Sequence, residues 1–250
     1  MKLTYIFHSG FALETEKAII VFDYWLDPTG VMPRMLAKRK HLYVLCSHYH
    51  RDHFTRQIFK WRQECPYMRY TYILSRDIMK RGRAVECEAD VWLGKGGTWE
   101  DENIRVHATG SNDSGVSWIV EVEGRRIFHA GDLNNWYARL LSDGGNRKNG
   151  GLLGRTIDPV YEEKRYLGEL KDIAKVTNHF DLAMFPIDGR IGNGYTRGAR
   201  QFLERFSVGM LVPMHFVASG FASAWRMKIY ADRKNIPFWE IDREGAETEI

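Results

Sequence analysis

Residues 47 to 54 read Ser-His-Tyr-His-Arg-Asp-His-Phe, which places three imidazoles and a carboxylate within six positions. Imidazole nitrogens and carboxylate oxygens bind divalent ions such as zinc at about 2.0 to 2.2 Å. Side chains two apart on an extended segment point the same way. His48 and His50 can therefore grip one ion, and Asp52 and His53, past a bend, can face a neighbouring one. A lone histidine is more often structural than a ligand. Crowding all four groups without a cation, however, leaves costly polar atoms unmatched. Four ligands from one short loop rarely finish a two-ion site, so the remaining partners are expected elsewhere in the chain.

The elements that must position this loop are mostly strands in the first half. Leu42 to Cys46 is a continuous apolar run, the mark of a strand covered on both faces. The histidine loop follows its end, where layered α/β folds place functional loops. Leu3–Phe7, Phe11–Glu14, Ala18–Phe22, Tyr70–Leu74, Asn103–Ala108, Val116–Val122 and Arg126–His129 read as further strands. Thr15 to Lys17 and Gly124 mark turns between pairs of them. Thr55 to about Gln63 reads as helical, and Ser75 is a candidate cap for a short helix from Arg76. Asp158-Pro159 looks like an N-cap followed by proline, opening a helix to about Val176. Beyond it, strands are expected at Leu182–Phe185, Val208–Met214 and Phe238–Ile241, and helices at Ala199–Phe206 and Phe221–Arg233. The Gly- and Asn-rich stretch from Ser142 to Gly154 reads as a mobile loop and a candidate lid. Two sheets packed face to face with helices outside would bury both kinds of apolar run.

The chain has 250 residues and no stretch that reads as a linker, so one domain over 1–250 is expected. Apolar residues make up 44% and charged residues 27%, ordinary values for a soluble protein. The net charge is only +4 and the basic runs at 38–40 and 80–83 are short, which argues against a nucleic-acid track. Three cysteines are too few and too irregular for a disulfide framework, and Cys46 reads as a small buried hydrophobe. A reducing cytoplasm fits that usage. The opening MKLTYIFHSGF has no long apolar core or cleavage site, and no uncharged window approaches the ~20 residues of a membrane helix. No membrane or nucleic-acid partner is expected, and the oligomeric state is left open.

The pattern H-x-H-x-D-H after an apolar strand resembles the signature of the metallo-β-lactamase superfamily. The resemblance extends over nearly the whole chain. Phe128-His129-Ala130-Gly131-Asp132 is similar to that family's strand ending in Gly-Asp, and Leu211-Val212-Pro213-Met214-His215 to its last ligand-bearing strand. The opening FHSGFALET and IIVFD look like the branch that contains ascorbate-phosphate lactonases. The implied fold is the four-layer αββα sandwich, with metals at one edge between the sheets. The implied ligands are His48 and His50 on the first ion and Asp52, His53 and His215 on the second, with Asp132 bridging. The family's further first-ion histidine is missing, since Ser111 stands at its place in Thr109-Gly110-Ser111-Asn112-Asp113. Asp113 is the preferred substitute, with an Asx-turn as its structural alternative. A carboxylate there hardens the site, so two divalent ions are expected, zinc first, with manganese or iron as alternatives.

The implied activity is hydrolysis of an ester, lactone, amide or phosphoester by a metal-bound hydroxide, with Asp52 and Asp132 as the catalytic carboxylates. Candidate substrate contacts are His8, Asn134, Trp136, Tyr137, Asp188 and Arg190, the last as an anion clamp. His129 is expected to be packed, and His41 and His179 carry no ligand pattern. The alternatives are a degenerate metal-binding sensor, which the missing histidine favours, and a small nuclease. The latter usually needs a large inserted domain for which this length leaves no room. The substrate itself is a small molecule of unknown identity.

Overall fold

A computed structural model describes residues 1–142 and 157–250. Strands β1 (Lys2–Phe7), β2 (Gly10–Glu14), β3 (Ala18–Phe22), β4 (His41–Cys46), β5 (Tyr70–Ser75) and β6 (Val91–Leu93) lie side by side in that order. A late strand, Glu247–Glu249, adds to the outer side of β1. The second sheet contains β7 (Thr98–Glu100), β8 (Ile104–Gly110), β9 (Val116–Val122) and β10 (Arg125–His129). After β11 (His179–Phe180), it is completed by β12 (Leu182–Pro186) and, after β13 (Ser207–Val208), by β14 (Leu211–Met214). Its order is β14-β12-β10-β9-β8-β7, with β10, β12 and β14 parallel.

The alternation of side chains along the strands sets the layers. Leu3, Tyr5, Phe11, Leu13, Ile20, Phe22, Tyr43 and Leu45 face the second sheet and share one core with Val106, Trp118 and Val120. The opposite face of the first sheet, Ile19, Val21, Leu42, Val44, Cys46 and Tyr72, packs under the helix Val31–Leu36 and under Ile58, Trp61 and Ile78. On the far side of the second sheet, Phe202 of the helix Arg197–Arg205 stacks on Phe128 at 5.1 Å and meets Phe185 at 4.9 Å. Burying such a ring is worth about 1.5–3 kcal/mol. Tyr166, Leu170 and Ile173 of the helix Pro159–Ile173 join the same core. The architecture is the expected αββα sandwich.

Most expected elements form, and Asp158 does cap its helix, accepting from Val160 and Tyr161 N–H. Four expectations are corrected. The Val208–Met214 run is broken in two, because Gly209 passes so close to Asp181 that a Cβ would lie 2.5 Å from its carbonyl oxygen. Phe238–Ile241 is not a strand but makes one bridge, Leu211 to Phe238, since Pro237 has no N–H to extend the ladder. Phe221–Arg233 is three short helical pieces rather than one. Ser75 precedes its helix without a side-chain capping bond. The candidate lid, from 143 onward, lies outside the described residues. Among the described residues no helix is long and apolar enough to cross a membrane.

Candidate metal centre

Seven strand ends deliver polar residues to one rim between the sheets. His8 follows β1, Asp23 follows β3, and Ser47 to His53 follow β4. From the other sheet come Asp113 between β8 and β9, Asp132 after β10, Asp188 after β12 and His215 after β14. The two sides are brought into contact by glycines. Gly115 has φ +63°, and a Cβ there would lie 2.1 Å from Ser47 O and 2.5 Å from His48 Cβ. Gly131 has φ +54°, and its Cβ would meet Val116 O at 2.8 Å and Ser47 Cβ at 2.9 Å. Only glycine permits both the left-handed backbone and the close approach.

Ligand-type atoms within 4.8 Å of one another form two four-residue groups, His48, His50, Asp113 and Asp132, and His8, Asp52, His53 and His215, with a third group, Asp23, His48 and His53, behind them. Asp132 faces both four-residue groups. Its Oδ2 is 3.3 Å from His48 Nε2 and 4.0 Å from His50 Nδ1. Its Oδ1 is 3.1 Å from His53 Nε2 and 3.4 Å from His215 Nε2. Donors at tetrahedral angles around an ion with bonds of about 2.1 Å sit roughly 3.4 Å apart, so these separations suit a cation in each group. The buried atoms agree. His53 Nε2, Asp132 Oδ1 and both ring nitrogens of His8 are enclosed without a hydrogen-bond partner, a costly condition that a cation relieves.

A layer of donors and acceptors behind the imidazoles fixes which nitrogen faces inward. Asp23 is fully buried, with φ +42°, and accepts from Ser47 N at 2.7 Å and from Ser47 Oγ–H at 2.6 Å. It also accepts from His53 Nδ1–H at 2.6 Å, so His53 presents Nε2 to Asp132. Ser47 has one proton and gives it to Asp23, so its Oγ accepts from His48 Nδ1–H at 2.9 Å, and His48 too presents Nε2. At the other end, His215 Nδ1–H donates to Asp188 Oδ2 at 3.0 Å, leaving Nε2 inward. Hydrogen bonds of this kind are what orient imidazoles that bind metal.

The charges respond to this packing. Burial pushes the Asp23 carboxyl up, and His129 and His53 beside it outweigh that and hold it low. Burial likewise raises Asp188, but hydrogen bonds from His215 and Arg190 bring it down to about 2. Asp132 is held well below the carboxylate range despite burial, by His53, His215 and His48. Asp113 goes the other way. Partial burial and the neighbouring Asp132 carboxylate raise it, as two crowded acids do.

The expected residues divide as follows. His48, His50, Asp52, His53, Asp113, Asp132 and His215 are gathered at the rim. Asp113 Oδ2 lies 3.8 Å from His50 Nδ1, and Ser111 Oγ accepts from Asp113 N at 3.3 Å. Trp136 donates its Nε1–H to Asp132 O at 2.8 Å, and its ring stands 5.3 Å from that of His215. Tyr137 is half-buried near Asp113, which helps raise its hydroxyl pKa after burial and Glu162. Arg190 grips Asp188 through Nε and Nη2, and its side chain is 53% exposed beside His215. Two substrate candidates are placed otherwise. Asp188 is buried and supports His215. Asn134 is fully buried, with its Oδ1 taken by Asn135 N at 2.8 Å against Gly198. His129 is packed as expected, stacked on Phe22 at 5.2 Å. His107 lines a separate groove of about 630 Å³ with Thr98 and Glu121.

Sequence reasoning missed Asp23, Ser47, Asn112 and Trp25. An acid directly after the wholly apolar run 18–22 was the one trace of Asp23, a pattern too common to assign it a role. Asn112 clasps the backbone of Asn134, donating Nδ2–H to its carbonyl at 2.9 Å and accepting its N–H at 3.1 Å. That clasp holds the Asp113 loop to the Asp132 segment. Trp25 stands edge-on to His8 at 5.8 Å.

Residues 2–140 match the family model described as the Beta-lactamase superfamily domain. A UPF0173 metal-dependent hydrolase of Methanosarcina barkeri is 28% identical over 239 residues, covering 86% of this chain and 83% of that protein. Igni18, a metallo hydrolase of Ignicoccus hospitalis, superposes with a TM-score of 0.62 at 16% identity over 100% of this chain and 98% of that one. The metallo-β-lactamase fold protein YhfI of Bacillus subtilis does so with a TM-score of 0.63 at 11% identity, over 99% and 98%. The fold and the gathered imidazoles and carboxylates thus have a family: the chain belongs to the metallo-β-lactamase superfamily. Within it, the chain stands with the metal-dependent hydrolases.

Proposed function

We propose that the two groups hold two divalent cations and that the protein hydrolyses an ester, lactone, amide or phosphoester bond in a small molecule. The observation that carries this reading is the placement of Asp132, one carboxylate oxygen turned to each group. Two ions so held would supply a water acidic enough to act as a nucleophile near neutral pH and positive charge for a developing oxyanion. The chain's own residues do the rest. Asp52, whose side chain is 33% exposed, would orient the attacking water. Arg190 offers its outward guanidinium face to a negative group on the substrate. Trp136 and Trp25 form apolar walls beside His215 and His8.

Asp113 supports a loaded first site, since it fills the place of the absent imidazole and so weakens the case for a degenerate sensor. With two carboxylates and two imidazoles that site is harder than an all-imidazole one. Manganese or iron suits it, although intrinsic affinity still favours zinc. The test is elemental analysis of the purified protein beside a screen of generic esters, lactones and phosphodiesters. Two ions per chain with turnover is the expected result, and Asp132→Ala should lose bound metal and at least 100-fold of the rate. A wild-type protein that takes up no divalent ion would end the proposal.

A further inference from the structure

We propose that His8 is itself a metal ligand, its Nε2 completing the second group with Asp52, His53 and His215, so that the two ions are held with unequal strength. The inference rests on the two-ion reading above and deepens it. His8 is 4% exposed, and neither ring nitrogen has a hydrogen-bond partner. Its Nε2 lies 3.2 Å from Asp52 Oδ2, yet the approach is not aligned as a hydrogen bond. The ring centre is 4.1 Å from that of His215, which in turn points Nε2 inward. A buried neutral imidazole always has one nitrogen lone pair to match. Asp52, as a carboxylate, has no hydrogen to give it. The Trp25 ring stands nearly perpendicular to that of His8 at 5.8 Å. A cation among His8, Asp52, His53 and His215 matches the lone pair.

The backbone is built to hold His8 in this pose. His8 has φ +57° and His215 has φ +63°, left-handed values that cost a non-glycine residue free energy. The two are clasped, with His215 N–H donating to His8 O at 3.1 Å and His8 N–H to the Tyr5 hydroxyl at 2.8 Å. Strain of this kind persists where the surroundings impose it, and here it turns two imidazoles onto one point. The second group then offers three buried imidazoles with Asp52. The first offers two imidazoles and two carboxylates, of which His50 and Asp113 have side chains 36% and 43% exposed. The His8 ion is therefore the one retained longer.

The experiment titrates metal-free protein with zinc(II) against a chromophoric chelator, and determines a crystal structure of the zinc-loaded wild type. Wild type should bind in two steps. His8→Ala should weaken the tighter step at least 10-fold and leave the weaker within about threefold, and His50→Ala should do the reverse. The zinc-loaded structure should place His8 Nε2 within bonding distance of an ion, a readout that survives if His8→Ala does not fold. Ions in both groups with His8 unbonded, or a tight step untouched by His8→Ala, would overturn the assignment while leaving the hydrolase reading intact. No zinc in either group would remove both.

Discussion

Ser47 has a single hydroxyl proton, and its fate decides how His48 is presented. The proton goes to Asp23 at 2.6 Å, so the oxygen must accept from His48 Nδ1–H at 2.9 Å. Ser47→Ala should therefore leave the fold and weaken metal binding by roughly 10-fold. Chelator competition measures it, and an unchanged affinity would show that His48 needs no such support. At this scale the sequence was partly readable. His48, His50, Asp52 and His53 declare themselves because four ligand-type side chains in one loop have few other uses. Asp23 and Ser47 do not, because a single acid or serine after a strand is common. Only the fold brings Asp23 against an imidazole 30 positions away.

Among the elements, the closure of β9 on the loop after β4 depends on Gly115. An alanine there must hold φ near +63° with its Cβ 2.1 Å from Ser47 O. Gly115→Ala should destabilise by more than about 1 kcal/mol in urea unfolding and should release metal, because the backbone cannot take the change without shifting His48. A variant of wild-type stability would mean the strand end moves freely. On β2, Glu14 pairs with Lys40 at 3.0 Å and with Lys38. Burial raises its pKa, but the two ammonium groups outweigh it and lower it. A depressed folded pKa gives stability that is present above the unfolded value near 4.3 and lost as pH falls through the folded one. Glu14→Gln should thus cost up to ~1 kcal/mol at pH 7 and less at pH 3, as paired denaturation curves would show. An equal cost at both pH values would contradict it. A continuous apolar run exposed β4 in advance, alternation exposed β9, and the turn at Gly124 exposed β10. The edge strand Glu247–Glu249 was invisible, since Glu-Thr-Glu has no apolar side to reveal it and forms only because β1 offers a free edge.

For the molecule as a whole, both sheets contribute ligands to one seam, so an ion there ties the layers together. A ligand bound only by the folded state stabilises it by about 4 kcal/mol when present at 1,000 times its Kd. Chelation should lower the melting temperature of wild type by several degrees and that of Asp132→Ala far less. Equal melting with and without chelator in wild type would place the groups outside any structural metal site. The sequence alone determined the αββα layering and most of the imidazoles and carboxylates that gather at the rim. Hydrophobic period and motif spacing are local properties that survive in one dimension. The tertiary structure decided that Asp113 lies with His48, His50 and Asp132, which acids hydrogen-bond the ring nitrogens, and that His8 lies with Asp52, His53 and His215. Those depend on distances between strand ends far apart in the chain, and such distances exist only once the two sheets have packed.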